Sequence, residues 1–289
     1  MTKWAKIGAT VAIAVIAVVL PFFLPDLTFY VQMVLAALVV TGLSLFMGYA
    51  GQASLGQGAF VAAGALTVAV TTVQFHWPPL LSLVCAPIVA AAFAYLVGLP
   101  LLRLRGHYLA FATLALLLIV QALVSTLPVF GGGVGLFGIP PLGIGGLVIS
   151  DQIQYAFVAL AALALGLVVS RNLIASRFGR GVRALAGSES AAESSGVDVV
   201  RTKLAIFAVA AAFAGLAGGI SAFFIPYVSS DSFPALVSFT YVIMAVVGGL
   251  GTLWGGVVGA VLLSVLAQAL TTVSATPGLP PTAGHPMSP

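Results

Sequence analysis

Two carboxylates, Glu189 and Glu193, stand four residues apart in the most polar stretch of this 289-residue chain, Ser176–Lys203, SRFGRGVRALAGSESAAESSGVDVVRTK. On one helix, like charges at that spacing repel by roughly 0.2–0.5 kcal/mol. The spacing makes more sense if a partner supplies cations. Arg177, Arg180, Arg183, Arg201 and Lys203 make the same stretch basic. A solvated loop that carries charge for solubility is the alternative. Within the stretch, Gly187 and Gly196 read as helix breaks, and Asp198 reads as the cap of the helix that follows.

A second constellation lies at Gly48–Gly64, GYAGQASLGQGAFVAAG. Here Gly48, Gly51 and Gly56 alternate with Gln52, Ser54 and Gln57 where an apolar run should be turning. Such a segment predicts a broken or re-entrant helix near 48–58. Its freed backbone groups and amides would line a substrate path, because irregular backbone at membrane depth needs protein or a water-filled cavity around it. Close helix packing through small residues is the competing reading, and the two are compatible. A similar string, Gly248–Gly259, places Gly248, Gly251 and Gly256 at an offset of 200 residues from Gly48, Gly51 and Gly56, a weak sign of an internal repeat.

Chemistry of other kinds lacks its residues. A GxxxxGK[ST] phosphate loop cannot be assembled from lysines at 3, 6 and 203 only. His76, His107 and His285 lie at run boundaries or in the C-terminal stretch, which leaves no Ser-His-Asp set. The lone Cys85 sits inside an apolar run and reads as packing. No carboxylate falls inside an apolar run, so an ion- or proton-driven carrier lacks its relay.

The elements that must position these residues are set by composition. The chain is 61% hydrophobic and 6% charged, with a mean hydropathy of +1.22. A soluble surface needs roughly 25–35% charged residues, so the chain reads as an all-α integral membrane protein. Apolar runs near 7–24, 28–47, 58–74, 80–101, 108–126, 152–170, 203–225, 235–249 and 254–273 give about nine transmembrane helices. The first run follows Lys3 and Lys6 without a small-residue cleavage site and reads as a retained helix. With the N-terminus in the cytoplasm, every Lys and Arg falls inside, Arg103, Arg105 and Arg171 included, while Asp26, Asp151 and Asp231 fall outside. Orientation therefore explains the basic pI of about 9.5, and nucleic-acid binding is not expected.

The uncharged Gly- and Pro-rich segment from Leu127 to Ser150 reads as an ordered outer loop rather than a span. Together with Ile225–Pro234 it offers an outer surface. Residues 1–273 read as one membrane domain with a cytoplasmic segment at 176–201. Residues 274–289, with five prolines in the last thirteen positions, read as a disordered tail.

Taken in order, GYAGQASLGQGAF, RLRGHYLAFATL, RALAGSESAAESSGVDVVRTKLAIF and GGLGTLWGGVVGA resemble the permease subunits of branched-chain amino acid ABC importers, in particular the LivM type. These motifs cover most of residues 42–265. The resemblance implies a permease of the bacterial plasma (inner) membrane for branched-chain or other hydrophobic amino acids. It further implies a homologous second permease, two cytoplasmic ATPase subunits and a periplasmic or extracellular substrate-binding protein. ATP and Mg would be bound by those partners, with no cofactor in this chain. It assigns ATPase coupling to Arg180, Arg183, Glu189, Ala191, Ala192, Glu193 and Gly196. The chain departs from the family in carrying Gly187 and Ser188 where a polar Glu-Asn pair usually precedes the glutamate, so the contact is expected to rest mainly on Glu189. A related permease for urea or short amides, and a stand-alone channel for a small neutral solute, are the alternative functions.

Overall fold

The computed structural model describes residues 18–22, 27–104, 106–144 and 147–274. In chain order its helices are α1 (Leu27–Ser44), α2 (Gln57–Val73), α3 (Pro79–Leu101), α4 (His107–Thr126), α5 (Gln152–Ala175), α6 (Arg177–Gly187), α7 (Glu189–Ser194), α8 (Val199–Phe224), α9 (Ala235–Gly248) and α10 (Gly255–Ser274). A π-turn, Leu45–Tyr49, extends α1. Among the described residues, seven helices are long and apolar enough to cross a membrane. The apolar α2, with 17 residues, is shorter. At 1.5 Å per residue it reaches about 25 Å, less than a bilayer core of about 30 Å. The chain is an all-α, multi-pass membrane protein. Eight of the expected crossings fall on these helices. The run at 7–24 apart from residues 18–22, together with Lys3, Lys6, Asp26, Arg105 and the Pro-rich stretch after 274, lies outside the described residues.

Two boundaries differ from the expected ones, each for a local reason. Helix α5 continues to Ala175 instead of ending near 170, because Arg171 and Asn172 are exposed and let the helix emerge from the bundle. Helix α8 begins at Val199, four residues before the expected 203. The Asp198 carboxylate accepts a hydrogen bond from the Arg201 N–H at 3.0 Å and caps that start. Lys203 thereby becomes part of a core helix.

The core is built on α1 and α8, whose most apolar windows are 83% and 67% buried against 22% for α3. Small residues let the helices approach: Gly64 meets Gly215, Gly218 meets Val61, and Gly215 meets Ala86 and Ala90. Phe207 packs between Phe46 and Phe60, with ring centroids 4.9 and 5.2 Å away. Phe60 and Gly64 face Phe207 and Gly215, so α2 and α8 run parallel. Gly98 meets Leu204 while Ala86 meets Gly219, so α3 runs opposite to α8. This alternation gathers Arg103, Arg171, Arg177, Arg180, Arg183, Arg201 and Lys203 at one end of the bundle, with Asp151 and Asp231 at the other.

At the Asp-bearing end the Gly- and Pro-rich loop is folded over the bundle and is not a span. Strand β1 (Leu136–Phe137) pairs antiparallel with β4 (Tyr227–Val228), and β2 (Leu142–Ile144) with β3 (Leu147–Ile149). Phe137 stacks on Tyr227 at 4.5 Å, and the Tyr227 hydroxyl donates to the Val134 carbonyl at 3.2 Å. The two segments therefore form a single cap.

Candidate functional site

The break between α1 and α2 is held by side chains from distant helices. The π-turn ends at Tyr49, and residues 51–56 have no regular structure until α2 starts at Gln57. Thr113 of α4 accepts the Leu55 N–H at 2.9 Å, and Ser238 of α9 accepts the Gly58 N–H at 2.9 Å. Backbone groups freed by the break thus find partners inside protein, as membrane depth demands. Gly51 adopts φ +67°, a left-handed conformation that suits glycine. A methyl group on Gly48 would collide with the Gly251 backbone nitrogen, so the turns of the two glycine strings touch directly.

Ser54, Gly56 and Gln57 are buried, and Gln52 nearly so, whereas Gly48 is half-buried and Gly51 exposed at the Arg-bearing end. Among the described residues, neither amide atom of Gln57 has a hydrogen-bond partner although the residue is 0% exposed. The Ser44 hydroxyl is buried in the same condition.

The polar stretch 176–201 folds as α6 and α7. The Ser176 hydroxyl accepts the Gly179 N–H at 3.2 Å, and the Ser188 hydroxyl accepts the Ala191 N–H at 3.3 Å, so each helix has its own N-cap. Gly179, Val182 and Leu185, three residues apart, bury one face of α6. Gly179 and Val182 gather with Leu45, Tyr49, Leu173, Ile174 and Ile206. Arg180 and Arg183 are exposed on the opposite face, together with Ala191, Glu193 and Gly196 farther along. Gly187 ends α6, and Gly196, at φ +80°, separates α7 from α8.

One expectation is corrected here. The two carboxylates are not alike, because Glu189 already has a cation within the chain. Glu189 turns inward and makes an ion pair with Lys203. The same oxygen, Oε1, accepts from Gln52 Nε2 at 3.3 Å. Ala192 is buried beside it in α7, while Glu193 faces out. Repulsion at i, i+4 describes an isolated helix, whereas here the first residue of α7 meets the first turns of α8. By sequence Lys203 reads as an orientation charge; the signal for its pairing is a cation at the edge of an apolar run, 14 residues past a glutamate across a glycine break.

A cavity of about 570 Å³ opens between α1, α2, α8, α9 and α10. Its wall includes Phe29, Ile225, Tyr227 and Phe233 near the Asp-bearing end, and Gly58, Val61 and Met244 deeper down. Polar groups are supplied by Gln32, Ser221, Thr240, Tyr241, Ser264 and Gln268, and among the described residues no Asp, Glu, Lys, Arg or His lines it. Gly48, Gly51, Gln52, Ser54, Gly56 and Gln57 are not in this wall; they lie just beyond its inner end, next to Gly58. Sequence reading missed the cavity residues. Gln32, Ser221, Ser264 and Gln268, polar side chains inside apolar runs, were the signal.

A helical membrane bundle whose cavity has no charged side chain among its described lining residues, with glycine turns in contact beyond its deep end, is an arrangement that a permease for a small solute would need. The comparison with known families agrees: residues 27–284 match the family described as branched-chain amino acid transport system / permease component, and the chain belongs to that family. It is 34% identical over 284 residues to the high-affinity branched-chain amino acid transport system permease protein LivM of Escherichia coli (strain K12). It is 33% identical over 283 residues to the LivM protein of Salmonella typhimurium (strain LT2). Each match covers 88% of this chain and 66% of the relative, so the chain spans about two thirds of the length of these relatives. No solved structure matches closely enough to add to this.

Proposed function

We propose that this chain is the membrane-spanning permease subunit of an ATP-driven importer for branched-chain or other hydrophobic amino acids. The observation that carries the reading is the cavity: about 570 Å³, without a charged side chain among the described residues that line it, and mixed in lining. That volume lies within the roughly 300–1,000 Å³ of small-molecule sites. Val39, Val61, Met244 and Leu263 suit an aliphatic side chain, while Gln32, Ser221, Ser264 and Gln268 supply neutral hydrogen-bonding groups for the two ends of a zwitterion.

In this reading the Arg-bearing end and the N-terminus face the cytoplasm of the bacterial plasma (inner) membrane, following the positive-inside rule. A homologous permease subunit completes the pathway, two ATPase subunits bind ATP and Mg, and a substrate-binding protein delivers to the cap built by β1 and β4. Arg180, Arg183, Ala191, Glu193 and Gly196 form the surface offered to the ATPase. The break at 48–57 acts as the inner gate of the path. The test is uptake of labelled leucine, isoleucine, valine and urea by the complex reconstituted in proteoliposomes. ATP-dependent uptake of the amino acids is expected; uptake that persists without any ATPase subunit overturns the reading.

A further inference from the structure

Lys203 is the chemical anomaly of the bundle. Its side chain is 4% exposed, within a helix apolar enough to cross a membrane. A buried ammonium is tolerated only with a close anion and further hydrogen bonds. The anion is Glu189, whose side chain keeps 29% of its exposure, and it comes from the short helix α7 at the Arg-bearing end. Glu189 Oε1 also accepts from Gln52 Nε2 at 3.3 Å. Gln52 in turn belongs to the break: its Nε2 lies 3.4 Å from the Ala50 carbonyl and its backbone N–H donates to the Phe46 carbonyl at 3.3 Å. One carboxylate oxygen therefore ties together α7, the core helix α8 and the break that precedes α2. Gly58, at the deep end of the cavity, lies six residues beyond Gln52.

We propose that Lys203, Glu189 and Gln52 form an internal latch that passes motion of α7 to the break and so to the floor of the cavity, with Glu189 acting as a tether inside the permease rather than as a contact to the ATPase. This rests on the importer reading, in which a partner moves α7. The logic is electrostatic. Displacing α7 outward separates Glu189 from a cation that water cannot reach, so the break and α8 must follow α7 or lose their shared anion. A surface ion pair would transmit little, because solvent screens it and leaves both partners satisfied. Lys203 and Gln52 are thus positioning residues for transport, acting through α2.

The test uses the reconstituted complex and two readouts. The first is uptake per ATP hydrolysed. Lys203→Met and Gln52→Leu are each expected to lower this ratio by about tenfold, a coupling of ordinary size, while the ATPase subunits still co-purify. The charge swap Glu189→Lys with Lys203→Glu is expected to restore part of it. The second is hydrogen–deuterium exchange over residues 50–58, which is expected to speed up about tenfold in Gln52→Leu. Unchanged exchange in Gln52→Leu overturns the latch whether or not the complex transports. Loss of ATPase co-purification on substituting Glu189 alone, with an unchanged ratio in Lys203→Met, also overturns it and makes Glu189 a docking contact. Failure of the wild-type complex to show ATP-driven uptake overturns the importer reading and leaves the exchange result to decide the latch.

Discussion

Gly48 and Gly187 are glycines near the same end of the bundle, yet the structure constrains them differently. A Cβ on Gly48 runs into the backbone of Gly251, whereas a Cβ on Gly187 meets nothing within 4 Å. Gly48→Ala is therefore expected to destabilise the protein by about 1–3 kcal/mol through overpacking, read as a lower midpoint of thermal unfolding in detergent. Gly187→Ala is expected to stay within about 0.5 kcal/mol of wild type. Ser238→Ala should cost about 1–3 kcal/mol, since it strands the buried Gly58 N–H that Ser238 accepts. An unfolding midpoint equal to wild type for Ser238→Ala would contradict the role given to that hydroxyl. At this scale the sequence was readable where chemistry is local: Asp198 caps α8, and Gly187 and Gly196 break the polar segment as their types suggest. It was unreadable where a residue's partner is fixed by tertiary packing. Nothing in the spacing of Glu189 and Glu193 distinguishes the one that turns toward Lys203 from the one that faces water.

Helices were legible because membrane spans announce themselves by length and uniform apolarity. The break was legible for the converse reason, since Gln52, Ser54 and Gln57 among glycines do not belong in a lipid-facing run. The depth of α2 was not legible, because its start depends on Thr113 and Ser238 taking up N–H groups from 58 and 180 residues away. The same holds for the cavity, whose wall is shared by five helices that are distant in sequence. Contact between the break and α6 gives a test at this scale. A Cβ on Gly51 would lie 3.7 Å from the Ala186 Cβ, near the usual Cβ separation of a disulfide, and a cysteine there carries the cost of the left-handed φ of +67° in both redox states. With Cys85 replaced by Ala, Gly51→Cys with Ala186→Cys is expected to lose ATP-driven uptake on oxidation and regain it on reduction. Equal uptake in the oxidised and reduced forms would show that transport needs no movement between the break and α6.

The whole molecule has two chemically distinct ends, and its functional elements are divided between them. Among the described residues, seven basic side chains, the two capped short helices and the Glu189–Lys203–Gln52 cluster gather at one end. The strand-paired cap and the cavity residues Phe29, Ile225, Tyr227 and Phe233 stand at the other. Between them, Gly58, Val61 and Met244 floor the cavity, and the contact of Gly48 with Gly251 closes the far side. This division is what an importer needs if a delivered substrate waits at a closed inner gate while a partner on the basic side acts on α6 and α7. Ser264 of α10 lines the cavity and offers a direct probe. With Cys85 replaced by Ala, Ser264→Cys in the assembled complex is labelled with a membrane-impermeant thiol reagent from each side in turn, with and without leucine. Labelling from the outer side, slowed by leucine and absent from the cytoplasmic side without ATP, is the expected result. Labelling from the cytoplasmic side alone, or at a rate that leucine and every other hydrophobic amino acid leave unchanged, would contradict the claim that this cavity is the route of import.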